Sequence, residues 1–524
     1  MKSYHDHLST RMEYGEIYEI TRKPILKSSA IFPVVKNEHY SSRILFLAYW
    51  LLKRKIPEVG IIITLRSDKG NILLRKFQTI DSVKAFSIDL DSLLDEINFK
   101  SIFLGSIEVE FNTTRDMVFP YPALVLEYFG TDFNSCVHTT QRIYNDFEDL
   151  KENEQFKVPE SGFDIYSTSD LSSFISFVNG SIKNQNGKID YIVTNSDCEK
   201  INGSFEIGVI EPYETKLIIL DEYIPEIKNF LKEKSGTISI KHNFEGFYPR
   251  LLVGNTQSSF PSISFTHSYY DCTSCINESD FWARSNSDFY DSSVYVPLFV
   301  KDNYYTDLVL YPNFSPSNFH LDIILFDQYG KMIHTFSDLK IIKSSNSEFT
   351  KINFNKIIEE ENLDKTLIVS AHIITRFIDS KIPSRIKFGL NVGMRNFKSK
   401  IPCNICFNTK VGNPKIDSKP GSFHWAPIFS ENSVLTISNF SPKKKYSRHA
   451  KIELSFFRKL DSESFTQELT LKPNSEFRLT PDNKLKNFLS KDDGWVTITS
   501  DNPYIQGFYF KFNSSGSVAG DHFF

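Results

Sequence analysis

The sequence has little of what marks a disulfide scaffold, a membrane protein or a nucleic-acid binder. Six cysteines in 524 residues are too few to staple a fold. The most apolar run, Ile44 to Leu52 (ILFLAYWLL), is far short of the ~20 residues a spanning helix needs, and it reads as a buried strand. Lysine and arginine total 60 against 64 aspartate and glutamate, a net charge of −4. No basic excess is left to hold a phosphate backbone, so no nucleic-acid partner is expected. The first residues, MKSYHDHLSTR, contain no apolar stretch, so no secretory signal is read. The expectation is a cytoplasmic protein with reduced thiols and no membrane insertion, in which the sequons at Asn112 and Asn202 carry no meaning. Gly-x-Ser-x-Gly, P-loop, Gly-x-Gly-x-x-Gly and His-Glu-x-x-His patterns are all absent, which removes the commonest catalytic signatures.

Aromatic residues are abundant instead. There are 47 Phe and 24 Tyr against only 5 Met, a balance that favours strands over helices. The chain is also too long for one core. The segment Gly105-Ser-Ile-Glu-Val-Glu-Phe111 recurs as Gly236-Thr-Ile-Ser-Ile-Lys-His242 and Gly494-Trp-Val-Thr-Ile-Thr-Ser500. Each alternates apolar and polar residues after a glycine, the pattern of a half-buried strand. The spacing is one and then two periods of about 129 residues, and Leu367 to Ile373 fills the missing slot without its glycine.

Four further landmarks keep the same order. A first strand appears at Ser29–Pro33, Gly162–Tyr166, Ser293–Pro297 and Phe423–Pro427. A second ends in Phe177-Val-Asn-Gly180, Asn313-Phe-Ser-Pro316 and Asn439-Phe-Ser-Pro442, with Tyr49-Trp50 in the first copy. A third runs into a polar turn at Asp68-Lys-Gly70, Asn195-Ser-Asp197, Asp327-Gln-Tyr-Gly330 and Asp461. Strands anchored by Pro122, Pro249, Pro383 and Pro503 close each copy. The reading is all-β: four tandem antiparallel β-sandwiches. They are expected over 28–150, 159–288, 290–412 and 419–524, with an extension over 1–27. Short linkers predict packing about a pseudo-four-fold axis rather than beads on a string.

In the last copy, Trp425-Ala-Pro, the Asn439 turn, Ala450–Phe457, Leu469-Thr-Leu-Lys-Pro473 and Ser500-Asp-Asn-Pro503 together resemble the sensory rhodopsin transducer family. The similarity covers about 100 residues and, more weakly, the other three copies. It implies small β-sandwiches that assemble as four-fold tetramers and resemble carbohydrate-binding folds, so four fused copies would write a tetramer into one chain. This sequence departs from the family in long insertions after the first and second copies and in its charged loops. Interaction with a rhodopsin is not carried over.

Polar residues gather after each closing strand. His138, His267, Cys406 and His522 sit at matching places and have the donor atoms of a zinc site if the copies converge. Packing alone also keeps a residue in place after duplication. Cys272/Cys275 and Cys403/Cys406 form two Cys-x-x-Cys pairs, an alternative four-cysteine zinc site, though neither has a knuckle glycine; no cofactor other than zinc is expected. A redox role would need a helix N-terminus to lower the thiol pKa, and none is read there. The Tyr269–Tyr290 loop and its counterpart after Arg142 mix rings with carboxylates and arginine. Flat rings cover a sugar's C–H face while charged groups pair with its hydroxyls. His267, Tyr270, Asp271, Trp282 and Arg284, with Arg142, Tyr144 and Asp146, are therefore the candidate sugar-binding residues, against the plainer reading that the aromatics anchor long loops. Asp221/Glu222 and Glu359–Glu361 read as solvated turns or a short helix, and Lys443–Lys445 as a surface turn. The expected function is a non-catalytic binding or scaffold protein with a carbohydrate-type ligand. The alternatives are a metal-dependent enzyme of glycan metabolism and a structural assembly protein.

Overall fold

A computed structural model describes residues 24–138, 141–144, 160–161, 163–248, 250–270, 282–283, 286–311, 318–343, 348–378, 382–383, 386–490 and 492–524. The described residues up to Tyr270 form one compact unit and those from Trp282 onward form a second. Each unit contains two antiparallel sandwiches.

In the first sandwich, strands β1 (Lys27–Lys36), β2 (Tyr40–Leu47), β3 (Val59–Ser67), β4 (Ile72–Ile80), β5 (Ala85–Asp89), β6 (Phe103–Asn112), β7 (Leu124–Gly130) and β8 (Phe133–His138) form two sheets, ordered β1-β6-β3-β4 and β5-β2-β7-β8. The same order recurs three times. In the second sandwich, the counterparts of β5-β2-β7-β8 are Thr215–Ile219, Leu171–Val178, Leu252–Gln257 and Ser262–His267. In the third they are Thr350–Asn353, Tyr304–Leu310, Lys387–Met394 and Cys403–Asn408, and in the fourth Glu476–Leu479, Ser433–Asn439, Ile505–Phe512 and Val518–His522. The Gly-led segments are β6 and its counterparts, paired between the first and third strands of each sandwich. The slot without glycine is filled by Ser370–Phe377, paired with Ser292–Pro297 and Phe319–Phe326. Placement inside the sheet explains why this segment keeps its pattern: it is buried on the core face and hydrogen-bonded on both edges.

The sequence landmarks do not cover β4, β5 or β8; of these, β4 has the counterparts Lys200–Ile210, Met332–Ile342 and Ser464–Leu471. These are edge strands, and β4 exposes all but a few of its residues, so no apolar alternation announces them. A short helix follows the fifth strand in every copy: Leu90–Glu96, Leu220–Tyr223 continuing with Ile227–Leu231, Phe354–Glu360, and Asn483–Leu489. The Asp221/Glu222 and Glu359 carboxylates lie on these helices. Tyr49 and Trp50 open another short helix, Tyr49–Lys53, instead of ending a strand. The second sandwich's first strand is split into Glu160–Ser161 and Asp164–Ile165.

Cores lie between the paired sheets. Phe46, Trp50 and Phe111 are fully buried in the first sandwich. The Phe111 ring lies 5.4 Å from Phe46 and 4.3 Å from Trp50. Burying one such ring contributes about 1.5–3 kcal/mol. In the second unit one core joins Leu308, Ile323 and Leu390 of the third sandwich to Phe508, Phe510 and Val518 of the fourth. Its two sandwiches therefore share apolar side chains. Among the described residues no helix is long and apolar enough to cross a membrane.

Candidate functional site

Strand register puts the four candidate metal ligands in one structural position. His138 pairs with Val125, His267 with Leu252, Cys406 with Gly389 and His522 with Phe508. Those four partners pair in turn with Leu45, Ser176, Val309 and Thr436 at the same place on the second strand of their sandwiches. The matching places inferred from sequence are thus one position on the eighth strand.

In the first unit this equivalence becomes a contact. Strands Phe133–His138 and Ser262–His267 lie against each other, and the Nε2 atoms of His138 and His267 approach to 3.2 Å with their rings nearly perpendicular. His267 Nδ1 lies 2.8 Å from the Ser268 carbonyl. A carbonyl can only accept, so this nitrogen carries the hydrogen and donates, leaving the Nε2 lone pair. Arg250 Nη2 lies 3.3 Å from that lone pair and donates into it. The neighbouring Ser268 hydroxyl donates to Glu160, whose other oxygen is 3.0 Å from His242 Nε2. The Leu251 N–H donates to both the Ser268 hydroxyl and Glu160. Glu160 is fully buried, so these bonds replace the water it loses.

Two imidazole nitrogens 3.2 Å apart also match the edge of a tetrahedral zinc shell with bonds of ~2.0–2.1 Å. The Arg250 guanidinium, however, takes up the lone pair that a metal would use on His267. Arg250, Ser268, Glu160 and His242 were not singled out from sequence, because no spacing rule links residues on four separate strands and turns.

Cys406 and His522 belong to the second unit. Cys406 donates its S–H to Asn404 Oδ1 at 3.7 Å, and His522 Nδ1 lies 2.9 Å from the Phe523 carbonyl. Cys403 and Cys406 share one strand and, three residues apart, point to opposite faces of it. This pair therefore does not make a metal knuckle. Burial, together with the nearby Asp521 and Cys406, pushes the Cys403 thiol well above its ordinary value, and the Gly520 backbone only partly offsets this. Cys403 donates to the Gly520 carbonyl at 3.4 Å, as a protonated thiol does. Cys272 and Cys275 lie outside the described residues.

Of the candidate sugar-binding residues, Arg142 and Tyr144 are buried. Arg142 stacks 4.3 Å over the Tyr248 ring and 5.6 Å from Tyr121, and Tyr144 meets Tyr248 edge-on at 4.3 Å. Arg142–Ile143 pairs with Phe247–Tyr248, and the Tyr144 N–H donates to Gly246. Both residues act as anchors of the segment that leads from the first sandwich to the second. Backbone pairing is also described for Tyr270, opposite Glu160, and for Trp282, opposite Pro383. Asp146, Asp271 and Arg284 lie outside the described residues.

No protein-family model matches the sequence, and no curated protein matches it. Among solved structures, a tetra-tandem repeat in the extending region of a large adhesion protein aligns over 89% of this chain and 91% of its own, at 9% identity and a TM-score of 0.11. The FN1-FN3 domains of chicken CNTN1 align over 68% of this chain and 94% of theirs, at 10% identity and a TM-score of 0.09. Similarity this slight does not fix a shared fold.

Proposed function

We propose that the protein is a non-catalytic binding or scaffold protein that takes a carbohydrate-type ligand at the loops following its first two sandwiches. The observation that carries the non-catalytic reading is the use made of buried polar side chains. Glu160, Arg142 and Gln141 in the first unit each hold backbone or rings in place, and Asn439 does so in the second, where Glu476 is taken up by Ser438 and Arg478. Such groups build joints, whereas a catalytic centre needs them open to a substrate. The sugar part rests on the composition of the Tyr269–Tyr290 loop, with Trp282 as the stacking ring and Asp271 and Arg284 as hydroxyl partners.

A glycan array probed with the full chain tests this reading. Trp282→Ala should weaken the bound glycan by about 1–3 kcal/mol, the scale of an aromatic anchor, with the melting temperature unchanged. If no glycan binds the parent protein and Trp282→Ala lowers the melting temperature, the loop is an anchor and the sugar reading fails. The 3.2 Å approach of His138 and His267 favours one second reading, a metal-dependent enzyme. Elemental analysis of the purified protein decides it: a stoichiometric metal supports the enzyme, and a metal-free protein removes it.

A further inference from the structure

The lysine run read from sequence as a surface turn borders a cavity in the second unit. Lys443, Lys444 and Lys445 form one side of a space of about 310 Å³, and Tyr290, Tyr446 and His372 form others. Its size is at the lower end of the ~300–1,000 Å³ typical of small-molecule sites. The turn is fixed by backbone bonds: the Lys444 N–H donates to the Asp288 carbonyl at 2.9 Å and the Tyr290 N–H to the Pro442 carbonyl at 2.9 Å. Asn474, Ser441 and Ser447 complete the polar lining, and no carboxylate is among the lining residues.

His372 is the second, independent observation. Its side chain belongs to a strand residue only 4% exposed, yet the residue lines the cavity. Its Nε2 is buried without a hydrogen-bond partner. Tyr290 and Phe440 meet the ring edge-on, at 5.0 Å and 4.5 Å, and offer it no polar atom there. A buried polar atom left unpaired costs about 1–3 kcal/mol, and its presence beside a cavity marks a place where a ligand belongs. Burial lowers the His372 pKa from its ordinary value to about 3, so the ring beside the cavity is neutral at physiological pH.

The positive charge comes from the turn. Lys443 is held by Asp417 at 2.5 Å and lies over the Phe289 ring. Lys444 and Lys445 are exposed and form no ion pair among the described residues. Two uncommitted ammonium groups, a neutral imidazole and a wall of aromatic rings suit an oxyanion carried on a ring-shaped body. We infer that this cavity binds a small phosphorylated ring compound of sugar-phosphate size, with the phosphate at Lys444 and Lys445 and the ring against Tyr290 and Tyr446. The inference uses none of Asp271, Trp282 and Arg284, so it stands or falls without the sugar reading proposed above.

Isothermal titration of the full chain with glucose 6-phosphate, ribose 5-phosphate, inorganic phosphate and glucose tests the inference. At least one sugar phosphate should bind, more tightly than inorganic phosphate, and glucose should not bind at this site. Lys444→Ala combined with Lys445→Ala should weaken the sugar phosphate by about tenfold or more, equivalent to about 1.4 kcal/mol, and leave the melting temperature unchanged because both side chains are exposed. Trp282→Ala should leave this binding untouched. Failure of both sugar phosphates to bind at millimolar concentration would overturn the inference. So would unchanged affinity in the double variant, or inorganic phosphate binding as tightly as the sugar phosphates.

Discussion

The two units solve the same joining problem with different chemistry. In the first, the turn after β3 (Asp68-Lys69-Gly70) docks onto Pro212-Tyr213-Glu214 of the second sandwich, and the Thr215 N–H donates to the Asp68 carbonyl at 2.8 Å. In the second, the matching turn Asp327–Gly330 docks onto Pro473-Asn474-Ser475, and the Glu476 N–H donates to Gln328 at 3.2 Å. Gly70 and Gly330 adopt nearly the same left-handed backbone, φ 83° and 82°. Behind the joint, one asparagine in each unit, Asn179 or Asn439, donates its side-chain amide to three backbone carbonyls. The backbone scheme is thus shared.

The side chains differ. The first unit brings two lysines to one buried carboxylate: Lys69 and Lys216 both reach Glu214, and the buried Arg66 lies 4.2 Å over the Tyr213 ring. The second relies more on carbonyls as acceptors. The Tyr295 hydroxyl donates to the Asn474 carbonyl, Arg478 donates to the carbonyls of Leu298 and Val369, and Glu476 is fully buried against Arg478. Duplication preserved the contacts made by main chain and by asparagine, while side chains around them were free to change as long as each buried group kept a partner.

Removing the asparagines should have the largest effect. Asn179→Ala and Asn439→Ala each strand three carbonyls and leave a cavity, a loss of about 3–5 kcal/mol per site, measurable by chemical denaturation. Similar costs in the two units would sharpen the equivalence, and a cost under about 1 kcal/mol in either would break it. Next come the turn glycines. A Cβ at Gly70 would lie 2.3 Å from the Pro212 oxygen, and one at Gly330 2.3 Å from the Pro473 oxygen. With the positive φ added, Gly70→Ala and Gly330→Ala should each cost about 2–4 kcal/mol. Neutral behaviour at either would show that the turn does not dock.

Acidity separates the units, with a smaller expected effect. Burial pushes the Glu214 carboxyl up, but the Glu211 N–H, Lys216 and Lys69 outweigh it and hold its pKa below the ordinary value. Stability from Glu214 is therefore present at neutral pH and is lost as pH falls through that depressed value. At Glu476 burial wins over Arg478 and Ser438, and the carboxyl titrates above its ordinary value. Its contribution is present below the unfolded-state pKa and is lost as pH rises through the raised one. Glu214→Gln should lower the melting temperature at pH 7 and remove the acid-side loss, whereas Glu476→Gln should raise it or leave it unchanged at pH 7. The opposite signs would show that charge and burial are wrongly assigned to the two joints.

Sequence alone carried the repeat because the landmarks that recur are the ones the joint and core require. The Asn439 landmark and its Asn179 counterpart cap three carbonyls, and the Gly70 and Gly330 turns need the left-handed backbone, so both kept their residue type through duplication. The Gly-led β6 alternates cleanly because it lies inside a sheet. The fourth strand stayed hidden because an exposed edge tolerates almost any residue. The site was legible by position and not by partner. His138, His267, Cys406 and His522 share one register, but the contact of His267 with His138 depends on how two sheets face each other, which no local pattern encodes. Cys403 and Cys406 looked like a ligand pair because Cys-x-x-Cys suits a turn; on a strand the same spacing sends the two sulfurs to opposite faces. The cavity beside Lys444 was missed because His372 is distant in sequence from the lysines.

Hydrogen exchange on the full chain tests the paired-sandwich account most directly. The amides of Thr215 and Glu476 cross from one sandwich to the next, each donating to a carbonyl in the turn of its neighbour. Both should exchange in the slow class, alongside amides of the central strands such as Ile238 and Ile498, because opening either one requires the joint to separate. Exchange of either amide at the rate of an exposed turn would contradict the account, since the two sandwiches of that unit would then open independently.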